Sequence, residues 1–247
     1  LGEASVSAID PSFQYRWSEP GDPSPAAAIN AAVRQSRGEA VAVLIDGTCM
    51  LYPGFLRYSL LALRAYRRPL ISTLGCHLGS SPQQQAANEG YDAGAEDQLL
   101  ESVPWQRNGY ELFRIACLAS SSKFGILAPL AESKALVMRR QMFDELGGLE
   151  EGFTCPGGGL VNLDFYQRAQ ALPEVQLVTL LGEASFQQIH GAATTGAANH
   201  WQVMTEEFAA LRGRPFDPYP RPWPRPDFLG QIRPMFRPWL SRALAEL

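Results

Sequence analysis

The feature that most constrains this 247-residue chain lies past its middle: Phe143–Ala169, FDELGGLEEGFTCPGGGLVNLDFYQRA. It reads as the end of a helix, Phe143–Leu146, a stop at Gly147-Gly148, an acidic loop, and a glycine run opening straight into another helix. Gly157, Gly158 and Gly159 let the backbone reach positive φ and come close to a ligand, which residues with a Cβ resist. Asn162 is placed to N-cap the second helix, with Asp164 in its first turn, where the helix dipole favours an anion. Such a loop can present an acid or amide to a substrate. The same residues also suit a bland role, capping a helix and closing a turn.

On either side the hydrophobic pattern alternates between periods of two and 3.6 residues. Residues 4–9 read as a short strand and 13–17 as an extended piece. Ala26–Ser36 reads as a helix with Asn30 and Arg34 on one side, Ala40–Ile45 as a buried strand closing at Asp46, and Phe55–Arg67 as a helix. Pro69–Leu74 is a strand, Gly79–Glu96 a polar loop, and Gln98–Pro104 a short helix. Tyr110–Leu118 fits strand or helix equally, and Ser120–Lys123 reads as a hinge-like polar run. Ser133–Arg140 is a strand, Gln141–Leu146 a helix, and Val175–Leu181 a strand followed by a second extended piece, Gly182–His190. Trp201–Arg212 is an amphipathic helix. Residues 214–238 are rich in proline, favour extended backbone and form no core of their own; Pro238–Leu247 is a last helix. This rhythm predicts one α/β domain over residues 1–212, with a mixed, mostly parallel sheet flanked by helices, and a Pro/Arg-rich extension over 213–247. In such sheets ligands bind at the carboxyl ends of strands, which singles out Asp46.

Composition narrows the function classes. A formal charge of −4 argues against a nucleic-acid binder. No run approaches the roughly 18 apolar residues of a membrane span. The four cysteines, Cys49, Cys76, Cys117 and Cys155, form no CxxC pair, so reduced thiols in a cytoplasmic protein are expected rather than a zinc site or a disulfide framework. His190 stands at a strand end before Gly191 and reads as functional; His77 and His200 read as structural or exposed, and Glu96-Asp97 as a solvated acidic pair. Trp105, Trp201, Trp223 and Trp239 suit packing, though a tryptophan can also stack on a sugar ring. The basic-aromatic tail wraps the domain or meets a partner or a membrane surface.

Four segments, in order, resemble the family 2 glycosyltransferases of the GT-A fold. GDPSPAAAINAAVRQSRGEAVAVLIDGT (Gly21–Thr48) is similar to that family's helix with an internal Asn and the strand ending in an acidic motif. ALVMRRQMFDELGGLEEGF (Ala135–Phe153) resembles its acceptor-side segment. GGGLVNLDFYQRA stands where the family has a glycine loop and a Glu-Asp-x-Asp helix. GEASFQQIHG (Gly182–Gly191) is like the late strand ending in histidine. The resemblance spans Gly21–Gly191 and implies a nucleotide-sugar-dependent transferase acting on a glycan, lipid or small-molecule hydroxyl, with inverting chemistry. It implies Mg²⁺ or Mn²⁺ held by Asp46 and His190, which suits hard cations that take carboxylate and phosphate oxygens. Donor contacts would come from Asn30, Arg34, Asp46, Gly47 and Thr48, an acceptor-side loop from Gly157, Gly158 and Gly159, and the catalytic base from the head of the helix that begins near Asn162.

Two positions depart from the family. Thr48 replaces the second acid of Asp-x-Asp, and Asn162 replaces the usual base; an amide accepts no proton near neutral pH. Asp164 sits two residues on, about 200° around the helix. The candidate catalytic residues are therefore Asp164, Asn162 and Glu132, with Glu96 and Asp97 as further acids that could take the proton. The second function expected is a nucleotide- or glycan-binding protein that keeps the fold without turnover. The family's opening strand has no counterpart in residues 4–10, so a domain without that strand is expected.

Overall fold

In a computed structural model the chain is described over residues 5, 8–10, 12–15, 23–45, 49–189, 200–222 and 225–245. Helix α1 (Ala26–Gln35) leads into strand β1 (Ala40–Leu44), then β2 (Cys49–Leu51), α2 (Gly54–Ala65) and the long β3 (Pro69–Leu78). Two short helices follow, α3 (Gln83–Asn88) and α4 (Ala93–Glu101), then a 3-10 turn (Gly109–Arg114) and β4 (Ala116–Leu118). After β5 (Ala135–Arg139) come α5 (Arg140–Glu145), α6 (Val161–Gln170) and β6 (Gln176–Gln187). The chain ends with α7 (His200–Arg212), β7 (Asp227–Gly230) and α8 (Arg237–Ala245).

The described strands form one mixed sheet in the order β1-β5-β3-β6-β2, with β4 on β3 and β7 on β6. Only β3–β6 and β6–β7 are parallel; β1–β5, β3–β5, β3–β4 and β2–β6 are antiparallel. The sheet is thus mostly antiparallel rather than mostly parallel. The cause is in the connections. A parallel pair needs a crossover of a dozen or more residues, and β6 and β7 are each reached through such a route, the first by way of α5 and α6 and the second by way of α7. Strands β4 and β5 enter from turns and loops and return antiparallel on β3.

Every residue of β3 is buried, because both faces of the sheet are covered. On one face Leu70, Met138 and Phe186 join the large core built with α1, α5, α6 and α7. On the other, Ile71, Val137, Val178 and Leu180 pack under Phe55, Tyr58 and Ala62 of α2. Between Ser72 and Leu74 the pairing of β3 with β6 jumps from Thr179 to Ala184, so β6 carries a bulge at Gly182. Gly182 has φ of +79°, and a Cβ there would collide with the Gln231 carbonyl. Where two extended pieces were expected, at Val175–Leu181 and Gly182–His190, one bulged strand runs over Gln176–Gln187.

Other expectations change with tertiary context. Ser5, Ala8 and Ile9 are helical, not strand. The polar loop expected over Gly79–Glu96 holds α3 and the start of α4, which Asp92 caps by accepting from the Ala95 N–H at 2.9 Å. Tyr110–Leu118 is half 3-10 turn and half strand. The Ser120–Lys123 run is anchored rather than hinge-like, since buried Ser122 Oγ accepts from the Gly75 N–H at 2.9 Å. In the proline-rich segment, β7 pairs with β6 and Phe236 is fully buried in the main core.

Asn30, expected in a donor pocket, is instead a clamp. Its Nδ2 donates to the Leu149 carbonyl and to Glu151 Oε1, each at 2.8 Å, and its Oδ1 accepts from the Leu149 N–H at 2.9 Å. The side chain occupies the space a Cβ on Gly148 would need, so the Gly147-Gly148 stop is fixed from α1. Replacing Asn30 by Ala removes three bonds, two of them buried, and leaves the Leu149 amide unpaired. A loss of about 2–4 kcal/mol is expected, measured by denaturant unfolding.

Candidate functional site

Strands β1, β3 and β6 run in the same direction, and their carboxyl ends open into a cavity of about 650 Å³. Ile45 follows β1, His77 lies at the end of β3 and Gln187 ends β6. The segment before antiparallel β5 adds Glu132 and Lys134. Gly157, Gly159 and Asn162 close one side, Trp201 and Met204 of α7 another, and Tyr219 of the proline-rich segment a third. The volume lies within the range of small-molecule sites, about 300–1,000 Å³.

The polar groups are held by neighbours distant in sequence. His77 is buried, and its Nδ1 accepts from the Gln83 N–H at 2.9 Å, which leaves Nε2 to carry the proton of the neutral ring. Lys134 donates to the Gln187 side-chain carbonyl. Ser133 ties the Glu132–Lys134 segment to β3: its Oγ accepts from the Thr73 N–H at 3.0 Å and donates toward the Ala135 carbonyl at 2.9 Å. Tyr219 hydrogen-bonds through its hydroxyl to the carbonyls of Ser120 and Ser121, each at 3.2 Å. Burial, and then the charge of Glu132, push that phenol up to about 12. Glu132 and Tyr219 therefore stand together on the cavity wall.

The glycine loop is positioned from α7. Glu207 accepts from the Thr154 N–H at 2.6 Å, the Thr154 hydroxyl at 2.9 Å and the Cys155 N–H at 3.0 Å. Gly157, Gly158 and Gly159 all have positive φ, and a Cβ on Gly158 would strike Pro25 and Val161. The cap of α6 is one residue or more from expectation. Leu160 precedes the helix without a side-chain cap, and Asn162 is its second residue, with an Oδ1 that finds no partner.

The expected site residues divide into three groups. Glu132, Asn162, Gly157 and Gly159 line the cavity, with Gly158 buried just behind. Asp46, Gly47, Thr48 and His190 lie outside the described residues, as does Trp223; Ile45, next to Asp46, is in the cavity wall. Asn30, Arg34 and Asp164 belong elsewhere. Arg34 is exposed on α1. Asp164 is almost fully buried in ion pairs, with Arg212 Nε at 2.5 Å and Nη2 at 2.8 Å and with Arg168 Nε at 2.8 Å. Its carboxylate is committed to joining α6 to α7 and cannot serve a substrate.

Sequence reasoning set aside His77, which the cavity includes. It also read Glu96 as solvated, whereas Glu96 is buried and accepts from the Ile189 N–H at 2.8 Å. Lys134, Gln187 and Tyr219 went unnoticed, because nothing in their local spacing marks them. A fourth missed group is Glu183, wholly buried beside the β6 bulge and outside the cavity. A charged residue inside a buried strand was the available signal. Tyr110 donates to its Oε1 at 2.8 Å, and Oε2 has no partner. Burial drives its carboxyl up to about 7, against the lowering effects of Tyr110 and Arg233.

A scan against family models, a search of curated proteins and a search of solved structures each return no match for this chain. Among the described residues no group of three or more His, Cys, Asp or Glu is placed to hold a metal ion. None of the described helices is long and apolar enough to cross a membrane.

Because the Glu183 value is raised above its ordinary 4.5, its contribution to stability is full below about pH 4.5 and is lost as pH rises toward about 7. Glu183→Gln removes the titration. The stability of the variant relative to the native chain should rise by about 1–3 kcal/mol between pH 4.5 and pH 8.5, measured by urea unfolding across that range. A flat difference would show that the carboxyl titrates alike folded and unfolded.

Proposed function

We propose that this chain is a nucleotide-sugar-dependent glycosyltransferase of GT-A-like architecture, with the cavity at the strand ends as its active site. The observation that carries the proposal is the convergence of one carboxylate, Glu132, two ammonium groups, Lys123 and Lys134, and the glycine loop on a cavity at the carboxyl ends of β1, β3 and β6. That is where open α/β sheets bind ligands. The order of segments resembling family 2 glycosyltransferases supports the same reading.

In this proposal Glu132 takes the base role that Asn162 cannot fill and from which the ion pairs of Asp164 exclude it. The carboxylate accepts the acceptor hydroxyl's proton as that oxygen bonds to the anomeric carbon. The bond from the anomeric carbon to the diphosphate breaks, and its electron pair leaves with the nucleoside diphosphate. Lys134 faces the charge that develops there. His77 Nε2–H and the Asn162 amide provide neutral hydrogen bonds to sugar hydroxyls, and Trp201, at the rim, offers a ring face. Mg²⁺ or Mn²⁺ would supply Lewis-acid assistance to the leaving diphosphate. Its expected ligands, Asp46 and His190, lie outside the described residues, and the described donors do not form a cage for it. The roles of Glu132 and Lys134 stand without it.

A second reading keeps binding without turnover: a nucleotide- or glycan-binding protein derived from such a transferase. The amide at Asn162 and the locked carboxylate of Asp164 favour it. The two separate cleanly. UDP-, GDP- and dTDP-sugars are each tested for a thermal shift, with and without Mn²⁺, and for sugar transfer or hydrolysis. Both readings expect stabilisation by at least one of them, and the enzyme reading adds turnover. Glu132→Gln should then keep the thermal shift while lowering turnover by about 10²–10⁴-fold. No shift with any donor sinks both readings.

A further inference from the structure

The outward face of α2 combines exposed leucines with exposed arginines. Helix α2 is the one described helix over its side of the sheet, and its inner face is spent on Phe55, Tyr58 and Ala62. Outward it presents Leu56, Leu60 and Leu61, exposed by 64%, 54% and 40%. Arg57 and Arg64 stand among them, and Arg67 follows just past the helix end, all exposed. At 100° per residue, Leu56 and Leu60 fall on one flank of the Arg57/Arg64 strip and Leu61 on the other. The helix contains no acid. Among the described residues no acid pairs with Arg57 or Arg64. The nearby acids are Glu174, in an exposed pair with Arg67 at 3.8 Å, Glu145, paired with Arg68 at 2.7 Å, Asp227, engaged with the Tyr66 hydroxyl, and Glu183, buried against Gly54 on the inner side.

We propose that this face docks on an anionic lipid surface, the leucines entering the headgroup boundary and the arginines meeting the lipid phosphates. A helix with apolar side chains beside basic ones, lying flat on the molecule, has the composition such interfaces select. Arginine stems run along apolar surface while their guanidinium groups stay with phosphate. Charge complementarity fixes the occupant. The chain as a whole carries −4 and is repelled by an anionic surface except through a local basic patch of this kind. The three leucines expose apolar surface on the order of 300 Å². A second copy of the chain would need about 800 Å² per partner. No residue of α2 lines the cavity, so this docking neither fills nor depends on it.

The test uses the full chain with vesicles of phosphatidylcholine alone and vesicles in which about a third of the lipid is phosphatidylglycerol. Co-sedimentation at low salt should show binding to the second and at least tenfold less to the first, declining as salt is raised. Two variants separate the contributions: Leu56→Gln with Leu60→Gln, and Arg57→Gln with Arg64→Gln. Each should weaken binding to the anionic vesicles at least tenfold while the thermal midpoint stays within a few degrees of the native chain. Should the leucine variant lose its fold, the arginine variant decides alone. Equal binding to both vesicle types, native-like binding by the arginine variant, or self-association through this face in place of lipid binding overturns the proposal. These readouts contain no sugar nucleotide, so their failure leaves the proposed transferase function standing.

Discussion

One buried carboxylate joins three parts of this fold. Asp164, in the first turn of α6, receives Arg212 from the last turn of α7 and Arg168 from its own helix. Arg212 also reaches Glu150 at 3.0 Å, and Arg168 donates to the carbonyls of Leu146 and Gly148. A lone charge at that depth would cost several kcal/mol, so the node holds only while its partners do. Charge and hydrogen bonds together fix the glycine stop at Gly147-Gly148, the start of α6 and the far end of α7. From the opposite side Asn30 clamps the same turn through Leu149.

The cavity depends on this arrangement without containing it. With its last turn tied to Asp164, α7 lays Glu207 against Thr154 and Cys155 and turns Met204 and Trp201 to the cavity. The glycine loop is thus held between two anchors, Glu207 before it and the α6 node after it. On the other wall, Gln83 and Glu96 hold the chain just past β6, by bonds to the Gln188 carbonyl at 2.6 Å and the Ile189 amide. Of the residues expected to do chemistry, Asp164 turns out to be part of the frame. Among the side chains lining the space are Glu132, Lys123, Lys134, His77, Gln187 and Asn162.

The two faces of the sheet divide the labour. The face under α1, α5, α6 and α7 carries the larger core and meets the cavity wall at Leu160 and Met204. The face under α2 is thinner, and the helix covering it shows solvent the leucine-arginine surface for which a lipid contact is proposed. The proposed binding site and the proposed surface contact thereby lie on different parts of the fold.

Much of the element order was legible in the sequence. Strand β1, helices α1, α2 and α7, strand β5 and the glycine loop fall where the two- and 3.6-residue periods place them, because burial of one face is a local constraint. The sequence singles out Asp46 and His190 at strand ends; both lie outside the described residues, and nearby Ile45 and Gln187 line the cavity. Strand direction and the partners of polar residues were not legible. Asn30 meets Leu149 across 119 residues, Asp164 meets Arg212 across 48, and Glu96 meets Ile189 across 93. No spacing rule reaches that far. The sequence by itself placed β1, β5 and helices α1, α2 and α7, because one-sided burial is a local constraint. Tertiary structure decided which acids are structural and which face the cavity. A buried charge takes the partner that packing brings within about 3 Å, and packing is settled only when the whole chain has closed.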